Sequence, residues 1–280
     1  MFLTKPTLVA AVLGLTLGAS WLPAAGNLVL TGHDDDLHQS TAAKAQAAGM
    51  IAFARNGSTL KVLSFDHGSQ LTTLLTSLGI AFDNVDPNAG VPSATLFNPA
   101  IYSAIVIASD TTCGGCDNNS VSSTNLNAAK ANFASFVNAG GGVLAFAGAA
   151  NTSYYGFLPA AATNPGIVTC STCFSQTAAG ATVGIPAVNG DFPHNYFGFP
   201  GTSGTDPAWQ AAESYTGPST AGALANQPFT LFAQGVTVTG TGFGTGSTPG
   251  VPIGWPALLL ISLGLGGTGL FQYRRMLKRS

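Results

Sequence analysis

The chain has 280 residues, a formal net charge of −2 and only 7% charged residues, against 46% apolar ones. It is too apolar for a disordered chain, and too long and too poor in cysteine (four residues) for a small disulfide scaffold. The charges are unevenly spread: only Lys44, Arg55, Lys61 and Lys130 lie in residues 27–250, against all eleven acidic residues, so this part carries about −7 (4 minus 11), which disfavours nucleic acid or anionic lipid as its partner.

Residues 1–26 carry Lys5, an apolar run from Leu8 to Leu17 and a small-residue exit at Ala24-Ala25-Gly26, the pattern of a secretory signal peptide. A plain membrane anchor is the alternative, although the run is short for spanning. The exported chain then opens with Asn27–Thr31, short and apolar enough for a central strand. A charged cluster follows at its carboxyl end, Gly32-His33-Asp34-Asp35-Asp36-Leu37-His38. The apolar spacing predicts a helix over Thr41–Arg55 that buries Ala47, Met50, Ile51 and Ala54 and stops at Asn56-Gly57.

Leu60–Phe65 reads as the next strand, with Asp66-His67-Gly68 as its exit. Leu71, Leu74, Leu75 and Leu78 fall at helical spacing between a Ser69 cap and a Gly79 stop, and Ile80–Val85 completes the unit as a strand. A buried strand at Tyr102–Ser109 precedes a Gly/Cys/Asn loop that begins at Asp110. A helix behind a Thr124 cap then buries Leu126, Ala129, Phe133, Phe136 and Val137, and Gly140–Gly142 leads into a last apolar run, Val143–Ala147. Apolar strands joined by helices require parallel crossovers, so the expected fold class is α/β: a Rossmann- or flavodoxin-like three-layer sandwich with a mostly parallel sheet, over residues 27–239. From Asn151 the pattern weakens to loops and edge strands, with late strands at Phe229–Ala233 and Val236–Thr239.

Residues 240–250 form a Gly/Thr-rich spacer, and 251–280 begin with Val251-Pro252-Ile253-Gly254-Trp255-Pro256. An apolar stretch from Ala257 to Phe271 and a basic end with Arg274, Arg275, Lys278 and Arg279 follow, the order expected of a single transmembrane helix with its basic cluster inside. This tripartite end resembles the PEP-CTERM family of sorting signals. The resemblance implies recognition and cutting by an exosortase, transient residence in the cytoplasmic membrane, and a final place at the cell surface or outside the cell. The usual Pro-Glu-Pro is replaced here by Pro252-Ile253-Gly254-Trp255-Pro256, and a simple tail anchor is the alternative.

Tyr102–Ala108 together with Phe136–Gly148 resembles the core of the class I glutamine amidotransferase-like superfamily, including its ThuA-like branch. The resemblance implies a nucleophile elbow after the glycine-led strand, carrying Cys in Gly-x-Cys-x-Gly with a later His and Glu. The corresponding turn here is Gly148-Ala149-Ala150-Asn151-Thr152, without a thiol, and the sole glutamate, Glu213, lies nineteen residues beyond His194. A nucleophile and an orienting base are both needed for that mechanism, so the expectation is a non-catalytic domain with a binding or structural role at the envelope or in the extracellular matrix.

Three further features are candidates for function. His33, Asp34, Asp35, Asp36 and His38 place two imidazoles and three carboxylates within six residues, a set suited to a divalent metal. The segment is similar to the His-Pro-Asp-Asp-Glu run of the LmbE/PIG-L-type N-acetylglucosaminyl deacetylases, which implies a rival reading as an extracellular metal-dependent hydrolase. The simplest alternative is an acidic loop capping the helix at Thr41. Asp66, His67 and Asp110 sit at the strand exits where open parallel sheets collect ligands, and Asp191, His194 and Asn195 lie in an aromatic run suited to stacking a sugar of an extracellular polysaccharide or, equally, to covering a small core. Cys113 and Cys116, and Cys170 and Cys173, form two tight pairs, read as disulfides in an exported chain with their connectivity open. A redox pair or a four-cysteine zinc site are the alternatives.

Overall fold

Five short segments form parallel strands, β1 (Gly26–Thr31), β2 (Val62–Phe65), β4 (Ala104–Ile107) and β5 (Gly142–Ala145), which are buried, and the half-exposed edge strand β3 (Phe82–Val85). Their side chains alternate between two cores. Leu28, Leu30, Leu63, Phe65, Ile105, Ile107, Val143 and Ala145 enter one, while Val29, Val62, Ala104, Val106 and Leu144 enter the other. A strand with apolar residues on both faces is stable only if both faces are covered, and helices cover both. The structure, a computed structural model, describes residues 25–110, 115–149, 151, 153–158, 170–190, 193–202, 208–216, 226–239 and 242–243. The expected leader, the spacer and the sorting segment with Val251, Pro252, Trp255, Pro256, Arg274 and Arg275 lie outside the described residues, as do Cys113 and Asp191. Among the described residues no helix is long and apolar enough to cross a membrane.

On one face lies α1 (Thr41–Arg55), where Ser40 Oγ accepts the Ala43 amide and Asn56 closes the helix in the left-handed region at φ 48°. Ser40, rather than the acidic loop, thus caps this helix. Beside it lies α2 (Gln70–Ser77), and here the expected Ser69 cap fails, since the Ser69 side chain makes no capping bond. Asp66 and Asp117 take its place: Asp66 accepts the Gly68 and Thr72 amides and Asp117 accepts the Gln70 amide.

The opposite face carries two helices where one was expected. α3 (Ser120–Ala128) starts four residues earlier than Thr124, because Asn119 forms a capping box with Ser122, and the Thr124 hydroxyl instead donates to the Ser120 carbonyl. α4 (Lys130–Asn138) follows after a break at Ala129, and Phe133, Phe136 and Val137 on it are buried as expected.

The largest difference from expectation lies after residue 151. The expected strand at Phe229–Ala233 forms within β8 (Pro228–Val236), but β8 joins the sheet beside β1 and, with the unexpected β6 (Phe174–Gln176) and β7 (Gln210–Tyr215), extends it in the order β3-β2-β4-β5-β1-β8-β7-β6 where loops and edge strands laid over it were expected. β8 runs antiparallel to β1, and α5 (Ala178–Val183) packs beside β7. A short hairpin of β9 (Val238–Thr239) and β10 (Gly242–Phe243) closes the described chain. β1 is therefore an interior strand, clamped between β5 and β8, and its exit loop emerges in the middle of the sheet's carboxyl edge.

Phe133 is fully buried and meets Phe65, Phe97 and Phe157 at centroid distances of 4.9–6.1 Å. Truncating it leaves a cavity among rings that cannot collapse, so Phe133→Ala should lower the unfolding free energy by about 3–5 kcal/mol. Val121→Ala, at a side chain 50% exposed, should change it by less than about 0.5 kcal/mol. Urea unfolding of the two variants with unchanged m-values checks both.

Candidate metal centre

The exit of β1 is buried although almost every residue in it is charged: His33, Asp34, Asp35 and Asp36 are each at most 2% exposed. Successive side chains go to different partners. The backbone holds them there, because Gly32 N–H donates to Phe229 O, Gly32 O accepts His194 N–H, and His33 O accepts Ala147 N–H. A Cβ on Gly32 would lie 1.7 Å from the Asn195 carbonyl oxygen, so glycine is what lets the 193–199 segment pass this close.

His33 turns away from the strand exits. Its Nε2 lies 2.9 Å from Glu213 Oε2 on β7, and its ring packs edge-on against Phe174. Glu213 also accepts from Gln46 Nε2, Thr230 Oγ1 and the Val188 amide, so the carboxylate is fully ligated by the protein. Burial by itself lowers the pKa of the His33 imidazole, but the Glu213 charge and hydrogen bond, helped by Asp35 and Asp34, outweigh it and lift the group to about 9. The pair is a buried ion pair inside the sheet, and His33 is not brought to the other imidazoles.

Asp35 is buried beside this pair with its Oδ2 unpartnered, and desolvation pushes its carboxyl well above the usual range. Asp36 accepts the Ser109 amide and hydroxyl, tying the β1 exit to the end of β4. Burial raises its pKa to about 7 in spite of those bonds. Both are thus placed as internal acids and not as open metal ligands.

Asp34, His38 and His194 are the residues brought together. Asp34 Oδ1 lies 3.3 Å from His38 Nδ1, its Oδ2 lies 3.1 Å from His194 Nε2, and one donor atom from each residue fits within 4.8 Å of the others. Asp34 is buried, His194 is 15% exposed and His38 46%, so the cluster has a solid floor and one open side. His194 Nε2 is itself buried and, despite its distance from Asp34, makes no hydrogen bond. A nitrogen that faces a carboxylate oxygen at 3.1 Å without a well-directed hydrogen bond is compatible with a cation held between them. One carboxylate and two imidazoles with an open side suit zinc or another borderline divalent metal.

The expected strand-exit residues form separate sets. His67 Nδ1 pairs with Asp86 Oδ1 at 2.9 Å on the surface, both about 40% exposed or more, and takes no part in the triad. Asp110 accepts from Asn151 Nδ2. Asn195, next to His194, is fully buried, and its Oδ1 accepts the Gly148 amide, which fixes the turn after β5. At that turn Ala149 holds φ 44°, a left-handed conformation that alanine seldom takes, with its methyl group buried. Cys170 and Cys173 are bonded to each other, so this bridge does not tie the two cysteine pairs together. Cys116 is also disulfide-bonded, and its Sγ lies 3.6 Å from Asp34 Oδ2, a contact in which a disulfide sulfur has no proton to donate. The spacing of Asp34 and His38 was visible in the sequence, but nothing in it paired His194 with them or Glu213 with His33.

The buried carboxyl groups make stability depend on partner and on pH. Removing Glu213 strands a buried imidazolium, so Glu213→Ala should destabilise the fold by about 3–5 kcal/mol, measured by chemical denaturation at pH 7. At the end of β2, burial and the hydrogen bond and charge of Asp117 raise the Asp66 carboxyl from 3.8 to about 6. A raised carboxyl contributes stability that is present below about pH 4 and lost as pH rises through 6. The melting temperature should therefore fall across that window, and Asp117→Asn, which keeps an acceptor for the Gln70 amide and adds a donor toward Asp66, should flatten the fall.

No family model, no curated protein and no solved structure matches this chain.

Proposed function

We propose that the protein is an exported divalent-metal-binding domain of the cell envelope or extracellular matrix, built on an amidotransferase-like framework whose nucleophile position is inert. The observation that carries the metal is the Asp34–His38–His194 cluster, in which the buried His194 Nε2 faces Asp34 without a hydrogen bond. The framework reading is supported by strand order: numbered from β2, the run β3-β2-β4-β5-β1 is the flavodoxin-like order 2-1-3-4-5, with the first strand of the chain in the fifth place. The inert position is read from the sequence: in the turn Gly148-Ala149-Ala150-Asn151-Thr152 the resemblance sets Ala150 where the catalytic members carry Cys, and a methyl group can do no chemistry there. The leader, the Val251–Pro256 motif, the apolar stretch and the basic end support export, an exosortase-type processing partner and a transient stay in the cytoplasmic membrane. Polysaccharide is the ligand class in keeping with that setting and with the acidic, lysine-poor exported part.

Three protein ligands leave coordination positions for water or a ligand oxygen, and this openness favours a second reading, a metal-dependent hydrolase acting on acetylated sugars. In either reading His38 and His194 supply neutral imidazole nitrogens, Asp34 supplies the charge, and Asn195 holds the segment that carries His194. The expected result is one equivalent of zinc per chain by equilibrium dialysis, lost in His38→Ala and His194→Ala while Asp86→Asn binds as the parent does. Absence of stoichiometric binding overturns the proposal. Release of acetate from an acetylated chitooligosaccharide, stopped by chelator and by His194→Ala, would establish the hydrolase in place of the binding domain.

A further inference from the structure

We infer that Cys116 is a latent fourth ligand of this centre, held out of coordination by its disulfide and added on reduction. The inference rests on the triad binding a divalent cation and deepens that reading. Cys116 is 4% exposed, and its sulfur stands 3.6 Å from Asp34 Oδ2, the same oxygen that faces His194 Nε2 at 3.1 Å. With zinc at about 2.0–2.2 Å from oxygen or nitrogen and about 2.3 Å from sulfur, a tetrahedron has O···N edges of about 3.3–3.4 Å and an O···S edge of about 3.5 Å. The 3.1 and 3.6 Å separations share Asp34 Oδ2 and are close to an O···N and an O···S edge of such a tetrahedron, while His38 Nδ1 stands 3.3 Å from the other oxygen, Oδ1, of the same carboxylate.

A cystine sulfur carries no negative charge and is a poor ligand for zinc, whereas a thiolate is among the strongest. In the oxidised chain the metal therefore has three protein ligands and an open position. An external dithiol passes two electrons and two protons to the Cys116 disulfide, becoming a disulfide itself and leaving two thiols. The Cys116 thiol then releases its proton to solvent as its sulfur binds the metal. Coordination closes to one carboxylate, two imidazoles and one thiolate, a saturated set with no place for a ligand or a reacting water.

The test uses the full chain in four forms: the oxidised parent, the parent with His38→Ala, the triple variant Cys113→Ser/Cys170→Ser/Cys173→Ser, and that triple variant with Cys116→Ser added. The chain has four cysteines, so the triple variant keeps Cys116 as its sole one, a thiol without added reductant. Zinc affinity is measured by competition with a chromophoric chelator, and cobalt is used as a spectroscopic substitute. The triple variant should bind zinc about tenfold or more tightly than the oxidised parent or the quadruple variant, and its cobalt complex alone should show thiolate-to-cobalt charge-transfer absorption. Equal affinities in the triple and quadruple variants, with no such band, would overturn the role of Cys116 while His38-dependent binding still upheld the triad. Binding by the His38→Ala chain equal to that of the parent would overturn both. Should the triple variant lose its circular dichroism signature, the parent treated with a phosphine reductant is compared with untreated parent by the same two readouts, and the same results decide.

Discussion

The imidazole of His33 and the carboxylate of Glu213, sealed together inside the sheet, set the direction of everything that follows β1. Neither group tolerates burial alone, since an isolated charge in the interior costs several kcal/mol, and together they join two strands separated by β8 in the sheet order and by 180 residues in sequence. With His33 fixed on that side, Asp34 emerges toward the open edge, Asp35 is left inside as an internal acid, and Asp36 reaches across to Ser109. The triad is thus a consequence of where its neighbour is anchored. A run of four charged residues survives burial because each has a different destination.

Two features meet at the same edge, the turn after β5 and the Asp34–His38–His194 cluster. The turn after β5 holds Ala149 in the left-handed region, and Asn195 takes the Gly148 amide beside it. Asn195 and His194 are adjacent, so the residue that seals this turn is continuous with one that completes the metal cluster. The turn is thereby a fixed seat for the segment that carries His194. Because Asp34 uses both oxygens, facing His38 with one and His194 and Cys116 with the other, any change in its orientation alters all three contacts at once.

Much of the first half of the fold was legible from local pattern. α1 spans Thr41–Arg55 as its apolar spacing predicts, and the parallel strands coincide with the expected runs, β1 and β5 each beginning one residue earlier, because a strand buried on both faces leaves an uninterrupted apolar signature. Caps were less legible: Ser69 and Thr124 have the right side chains, but Asp117 and Asn119 compete better once the chain folds back. β7, Gln210–Tyr215, has no alternating pattern because it buries Ala212 and Glu213 and needs the partners of Glu213 to do so. The candidate metal triad was half legible. Asp34 and His38 are four residues apart, whereas His194 arrives from a loop whose position depends on strand order, and spacing along a chain does not encode order across a sheet.

That order has a consequence for assembly. β1 is the first strand made and one of the last that can be completed, since its parallel neighbour begins at Gly142 and its antiparallel neighbour ends at Val236. β2 to β5 can pair among themselves within about eighty residues, but until β8 arrives β1 has an uncovered edge and the His33 charge has no counterpart. A chain synthesised or threaded through a pore from its N-terminus therefore cannot close its sheet early. Its two longest-range contacts, β8 along β1 and Glu213 on His33, act as a check on length: a polypeptide truncated before residue 213 retains an apolar strand and a buried charge that nothing in it can satisfy, and so is marked as incomplete by its own first strand.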